Sequence, residues 1–222
     1  MRINIISPSV SSLNTADDGK NVQGDEIVAR AWVKSLNKSA NKVNANLGHT
    51  KEVPDVTIYF SPLSEIKKDS SFKVLYLQNV FPKPHWPGTV ETFHSVKDKY
   101  DNFIFPSQGL RDLSETQDSL VLQFAADHEI YNPNPIAFNL MHNMCFVGNN
   151  FRAPEITEQF ILCTSEMGLA IYGNPKSWNN FLCRGKISPA DESTLYSSSK
   201  ICLNVHLKEH LENGTFNLRI FN

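Results

Sequence analysis

The sequence predicts an α/β protein of two doubly wound domains, the second of them incomplete. Three observations carry that expectation. Apolar runs such as VTIYF (56–60), KVLYL (73–77) and LVLQF (120–124) show little apolar–polar alternation, as parallel strands buried on both faces do. The chain opens as a short apolar strand (3–6), a long polar loop (8–23) and a helix from Gly24, the usual first unit of such a fold. Residues 146–222 then alternate apolar runs with polar turns, through FVGNN (146–150), LAIYGN (169–174), LYSSSKICLNVHL (195–207) and GTFNLRIFN (214–222).

Taken in order, the first helix has Asp25 and Glu26 in its opening turn, where carboxylates suit the helix dipole, and apolar residues Ile27, Val28, Ala31, Trp32 and Leu36 near helical spacing. Strands follow at 56–60 and 73–77. The segment FPKPHWPGT (81–89) has three prolines and reads as an irregular loop. Helical spacing returns at Val90, Phe93 and Val96, then strands at 102–105 and 120–124. The loop YNPNP (131–135) sets a domain boundary near residue 140, giving domains 1–140 and 141–222. In the second domain, strands are expected at 145–148, 169–172 and 200–205 and a short one within 181–187. A helix is expected over 188–196, with Pro189 early and Asp191 and Glu192 in its first turn. The chain ends at Asn222, inside what the pattern reads as a further helix.

Composition narrows the classes. Hydrophobic content of 41%, charged content of 20% and a formal charge of −2 suit a globular protein and argue against nucleic acid as a partner. No run reaches the roughly 18 apolar residues of a transmembrane helix, and the start lacks the length of a signal peptide, so a cytoplasmic location is expected. The cysteines, at 145, 163, 183 and 202, form no CxxC and read as small buried thiols. The sequons at Asn37 and Asn213 carry no meaning without secretion.

Gly148 and Asn149, with Arg152 beyond, form a polar turn after a strand. Such a turn offers amides and a guanidinium to a diphosphate, or is simply a turn. Gly173 and Asn174 repeat the pattern, and Asn204 ends another apolar strand. Ligands of open α/β sheets sit outside strand carboxyl ends, so three polar termini suggest a crevice, which His206 would face. The run HLKEH (206–210) matches an inverted zinc-protease pattern, but it follows a strand and lacks a third ligand, so no metal site is expected. Asp25 serves either helix capping or general base catalysis. His85 and Trp86 offer an acceptor platform or pack inside, and DHE (127–129) faces a crevice or fills a loop. No GxGxxG and no GxxxxGK[ST] is present, which disfavours a dinucleotide dehydrogenase or P-loop enzyme.

The runs FVGN (146–149), LAIYGN (169–174), LYSSSKICLNVH (195–206) and GTFNLRIF (214–221) resemble those of glycosyltransferases with two facing Rossmann-like domains, the GT-B fold. The likeness is to the spore-maturation-protein-like and family-1-type groups. It spans nearly the whole chain and is most specific over 146–221. It implies a metal-independent glycosyltransferase without a cofactor, taking a nucleoside-diphosphate sugar and a saccharide or other hydroxyl acceptor. The first domain would hold the acceptor. In the second, Gly148, Asn149, Arg152, Gly173, Asn174, Asn204 and His206 would line the donor site. Gly214 and Thr215 would offer amides, and Arg219 would match the family's arginine at the start of the last helix. Asn222 stands where the group has a ribose-binding glutamate. That departure leaves open a second class: a non-catalytic, glycosyltransferase-like binding module or inactive fragment.

Overall fold

A computed structural model describes residues 1–8, 24–38, 42–77, 90–116, 118–123, 125, 127–129, 131–150, 157, 159–178 and 182–206. They form an α/β structure with two parallel sheets, in two compact units that divide after residue 124.

The first unit has strands β1 (Arg2–Ile6), β2 (Asn44–Leu47), β3 (Val56–Tyr59), β4 (Phe72–Tyr76), β5 (Asn102–Phe105) and β6 (Leu120–Val121). All pair in parallel, in the order β2-β1-β3-β4-β5-β6. Helix α1 (Gly24–Lys38) covers one face. Val28, Ala29, Trp32, Val33 and Leu36 pack on Ile3, Ile5, Ile58 and Tyr76, and the Trp32 ring lies 5.3 Å from Phe60 and 4.7 Å from Tyr76. Helices α2 (Val90–Val96) and α3 (Gln108–Leu113) bring Phe93 and Leu110 into a second cluster with Tyr59, Leu75 and Phe105. Apolar residues therefore alternate between two buried faces, and each fully buried aliphatic or aromatic side chain contributes about 1.5–3 kcal/mol.

Two elements escape the sequence pattern. Strand β2 reads NANL, too polar and short to stand out. It is held by β1 and by the Asn37 carboxamide, which donates to the Ala45 carbonyl at 2.9 Å and accepts from its amide at 2.7 Å. The Asn37 nitrogen that a glycan would take is thus engaged in the fold. Helix α3 begins where Ser107 accepts from the Leu110 amide, directly after β5.

The second unit has strands β7 (Met144–Val147), β8 (Leu169–Tyr172) and β9 (Ile201–Leu203) in the order β8-β7-β9, all parallel. Every residue of β7 and β8 is buried. On one face Phe146 and Ile171 meet Ile161 and Trp178; on the other Cys145, Val147 and Tyr172 meet Leu195 of α4 (Pro189–Ser198). Ser188 caps α4 and Pro189 opens it, as the sequence predicts. Residues 182–188 make one bridge, Ile171 to Cys183, where a short strand was expected.

The serines of α4 have a structural task. Pro133 and Pro135 lack amide hydrogens, so the segment before β7 cannot pair as a strand. Three of its donors find hydroxyls of α4: the Asn134 amide bonds Ser197 at 3.0 Å, the Asn134 carboxamide bonds Ser193 at 2.9 Å, and the Ala137 amide bonds Ser198 at 2.9 Å.

Candidate functional site

A doubly wound sheet binds ligands where its strand order reverses, outside the carboxyl ends. In the second unit the chain passes from central β7 to β8 on one side, then to β9 on the other. The reversal lies between β7 and β9. Gly148, Asn149 and Asn150 follow β7 there, and Asn204 to His206 follow β9.

The turns after β7 and β8 are tied together. The Gly148 amide donates to the Tyr172 carbonyl at 2.8 Å, and the Gly148 carbonyl accepts from the Trp178 indole at 2.7 Å. The Gly173 amide donates to the Gly185 carbonyl at 2.9 Å, and the Asn174 amide to Asn149 Oδ1 at 2.7 Å. Asn174 Oδ1 in turn accepts from the Lys176 amide at 3.1 Å. A Cβ on Gly173 would stand 2.0 Å from the Gly148 carbonyl oxygen, so glycine is demanded there by close approach. The structure thus brings Gly148, Asn149, Gly173 and Asn174 into one network, but engages the amides of Gly148, Gly173 and Asn174 within it.

What faces a ligand is therefore mainly side chains. Asn149 and Asn174 each keep a carboxamide nitrogen without a partner among the described residues, and the Asn204 carboxamide is exposed. The Lys176 ammonium is likewise without an ion-pair partner among the described residues. Asn150 Oδ1 is buried with no hydrogen-bond partner. Burying an acceptor without a donor costs about 1–3 kcal/mol, so a ligand hydroxyl or amide that reached it through a local rearrangement would recover that loss. Asn150 was not singled out by sequence; its only signal is its place at the end of FVGNN. The start of α4 is less suited to a diphosphate, because Asp191 and buried Glu192 already occupy its first turn.

In the first unit the order reverses between β1 and β3. Ser7, buried directly after β1, donates to Asp25 Oδ2 at 2.5 Å in the first turn of α1. Asp25 thereby has a fixed orientation at the carboxyl end of the sheet, while neighbouring Glu26 is buried and paired with Arg30 at 2.7 Å. A cavity of about 210 Å³ lies elsewhere, toward the amino halves of β1 and β3, with Asn4 and Thr57 buried beneath it. Its Glu52 pairs with Arg2 and its Asp69 with Lys73, leaving Lys51, Lys67 and Lys68 without ion-pair partners among the described residues.

His85, Trp86, Arg152, Gly214, Thr215 and Arg219 lie outside the described residues, as do Glu209 and His210 of the HLKEH run. Among the described residues no cluster of His, Cys, Asp or Glu could hold a metal, and no helix is long and apolar enough to cross a membrane. All four cysteines are free. Cys145 is buried, but Cys163 and Cys202 are exposed, which corrects the expectation that every thiol lies inside.

His142, just before β7, shares a 3.0 Å hydrogen bond with the Tyr172 hydroxyl. Burial, and then the charge of Arg184, lowers its pKa below the ordinary histidine value. The native state then binds fewer protons than the unfolded chain as pH falls below about 6.5, so the stability present above that pH is lost as protons are added. His49 in the first unit is lowered in the same way, by burial and then Lys67. The chemical-denaturation midpoint of the second unit is expected to fall between about pH 7.5 and pH 5, and His142→Gln to flatten that fall.

Comparison with protein-family models and with curated proteins yields no match for this chain.

Proposed function

We propose that the chain is a GT-B-type glycosyltransferase that moves a sugar from a nucleoside-diphosphate donor to a hydroxyl acceptor without a metal. The observation that carries the reading is that Asn149, Asn150, Asn174 and Asn204 all follow the carboxyl ends of the strands of one parallel sheet, with Asn150 Oδ1 unpartnered. Carboxamides pair with sugar hydroxyls as both donors and acceptors. In this reading Asn150 accepts a donor-sugar or ribose hydroxyl. Asn149 and Asn174 donate to the diphosphate through their side-chain nitrogens, and Lys176 offsets its charge as it leaves. Gly173 has a different task from the one its motif suggests, letting the two turns close on each other.

Asp25, oriented by Ser7, takes the proton of the acceptor hydroxyl as its oxygen attacks the anomeric carbon and the nucleoside diphosphate departs. Whether a transfer inverts configuration follows from analysing the product's anomeric linkage. The proposal is tested by incubating the chain with UDP-, GDP- and ADP-sugars and a panel of hydroxyl acceptors, scoring release of the nucleoside diphosphate.

One observation favours the second class. The amides of Gly148, Gly173 and Asn174 are engaged inside the unit, as a binding module without a transferase's main-chain phosphate grip would have them. Nucleotide binding without turnover under any donor would establish that reading.

A further inference from the structure

Cys145 and Cys202 stand opposite each other in the register of β7 and β9. Their sulfurs are 3.6 Å apart, the Cys145 thiol donating to Cys202. Cys145 is buried in the cluster under Leu195, whereas Cys202 is exposed, its sulfur 3.7 Å from the Tyr196 carbonyl. Neighbouring strands lie about 4.8 Å apart, within the Cα separation of roughly 4.4–6.8 Å that a disulfide spans. The sulfurs need approach by only about 1.5 Å to reach bonding distance.

We propose that Cys145 and Cys202 are a peroxide-oxidised dithiol pair, in which Cys202 is the attacking thiol and Cys145 the resolving one. The Cys202 thiolate attacks one oxygen of a hydroperoxide. The O–O bond breaks, Cys202 becomes a sulfenic acid, and the departing alkoxide or hydroxide takes up a proton. The Cys145 sulfur then attacks the Cys202 sulfur. The S–S bond forms, the S–O bond breaks, and the Cys145 proton leaves with the hydroxyl as water. Two thiols are oxidised by two electrons and one peroxide is reduced. The division of labour follows from the geometry. Only Cys202 meets solvent, and the hydrogen bond from Cys145 favours its thiolate, lowering its pKa, while donation to Cys202 and burial raise that of Cys145. The bond would tie together the two strands whose carboxyl ends carry Asn150 and Asn204.

The test is mild hydrogen peroxide treatment of the whole chain, followed by non-reducing digestion and mass spectrometry. The expected product is a peptide pair joined through residues 145 and 202, lighter by two hydrogens and separated by dithiothreitol. Cys145→Ser is expected to leave a dimedone-reactive sulfenic acid at Cys202, and Cys202→Ser to abolish the link. The double variant Cys163→Ser/Cys183→Ser is expected to retain it, so the readout does not depend on altering the pair. Oxidation of Cys163 or Cys183 ahead of the pair, or a Cys202 that joins only to another molecule, would overturn the proposal.

Discussion

Gly173→Ala is expected to destabilise the second unit by about 3 kcal/mol or more, at the upper end of overpacking effects. The added methyl would meet the Gly148 carbonyl oxygen at 2.0 Å and the Trp178 indole nitrogen at 2.9 Å. Neither can step aside cheaply. The carbonyl is backbone at the end of buried β7, and the indole is its hydrogen-bond donor. Relief requires breaking that bond or separating the β7 and β8 termini, leaving a buried polar group unpaired. Gly185→Ala provides the contrast. Gly185 has φ of +94° but nothing within 4 Å of a new Cβ, so only backbone strain applies, and a cost of about 1 kcal/mol is expected. Urea unfolding in a Trp32→Phe/Trp86→Phe background, which leaves Trp178 as the fluorescent reporter, separates the two variants. Similar midpoints would show that the two turns do not press on each other.

Asp25→Asn is expected to lower glycosyl transfer by about 10²–10⁴-fold while leaving the fold in place. Asparagine keeps an oxygen to accept the Ser7 hydrogen bond, so the geometry survives while the basic oxygen is lost. Loss of a charge from the first turn of α1 costs about 0.3–2 kcal/mol. The helix-dipole role and the base role therefore separate cleanly. A dipole role alone predicts a small drop in melting temperature with turnover intact. A base role predicts the same small drop with turnover lost.

Much of the fold was legible because its strands are buried on both faces. The runs at 56–60, 73–77, 102–105, 145–148 and 169–172 each overlap a strand, and the helices at Gly24, Val90 and Pro189 start where the sequence places them. β2 was not legible, since Asn44 and Asn46 carry no apolar signal and the strand depends on the carboxamide of Asn37, on the preceding helix. Of the run 120–124 the strand takes Leu120–Val121, and the Leu122 amide still pairs with Phe105; Phe124 lies outside the described residues. For the site, the glycine–asparagine turns were visible as a pattern, but their partners were not. Trp178 reaches Gly148 across thirty positions, and Asn149 reaches the Asn174 amide across twenty-five. Spacing cannot reveal that a motif's amides are consumed by such distant groups. Nor can it reveal Asn150, whose interest arises from a buried oxygen left alone.

Calorimetric titration of the chain with UDP, GDP and ADP tests the central claim most directly, with Asn150→Ala as the paired variant. The account predicts saturable, one-to-one micromolar binding of one of the three, with a loss of about fivefold or more on removing the Asn150 carboxamide. Absence of heat and of any thermal shift with all three nucleotides would contradict a nucleoside-diphosphate site at the carboxyl ends of β7 and β9.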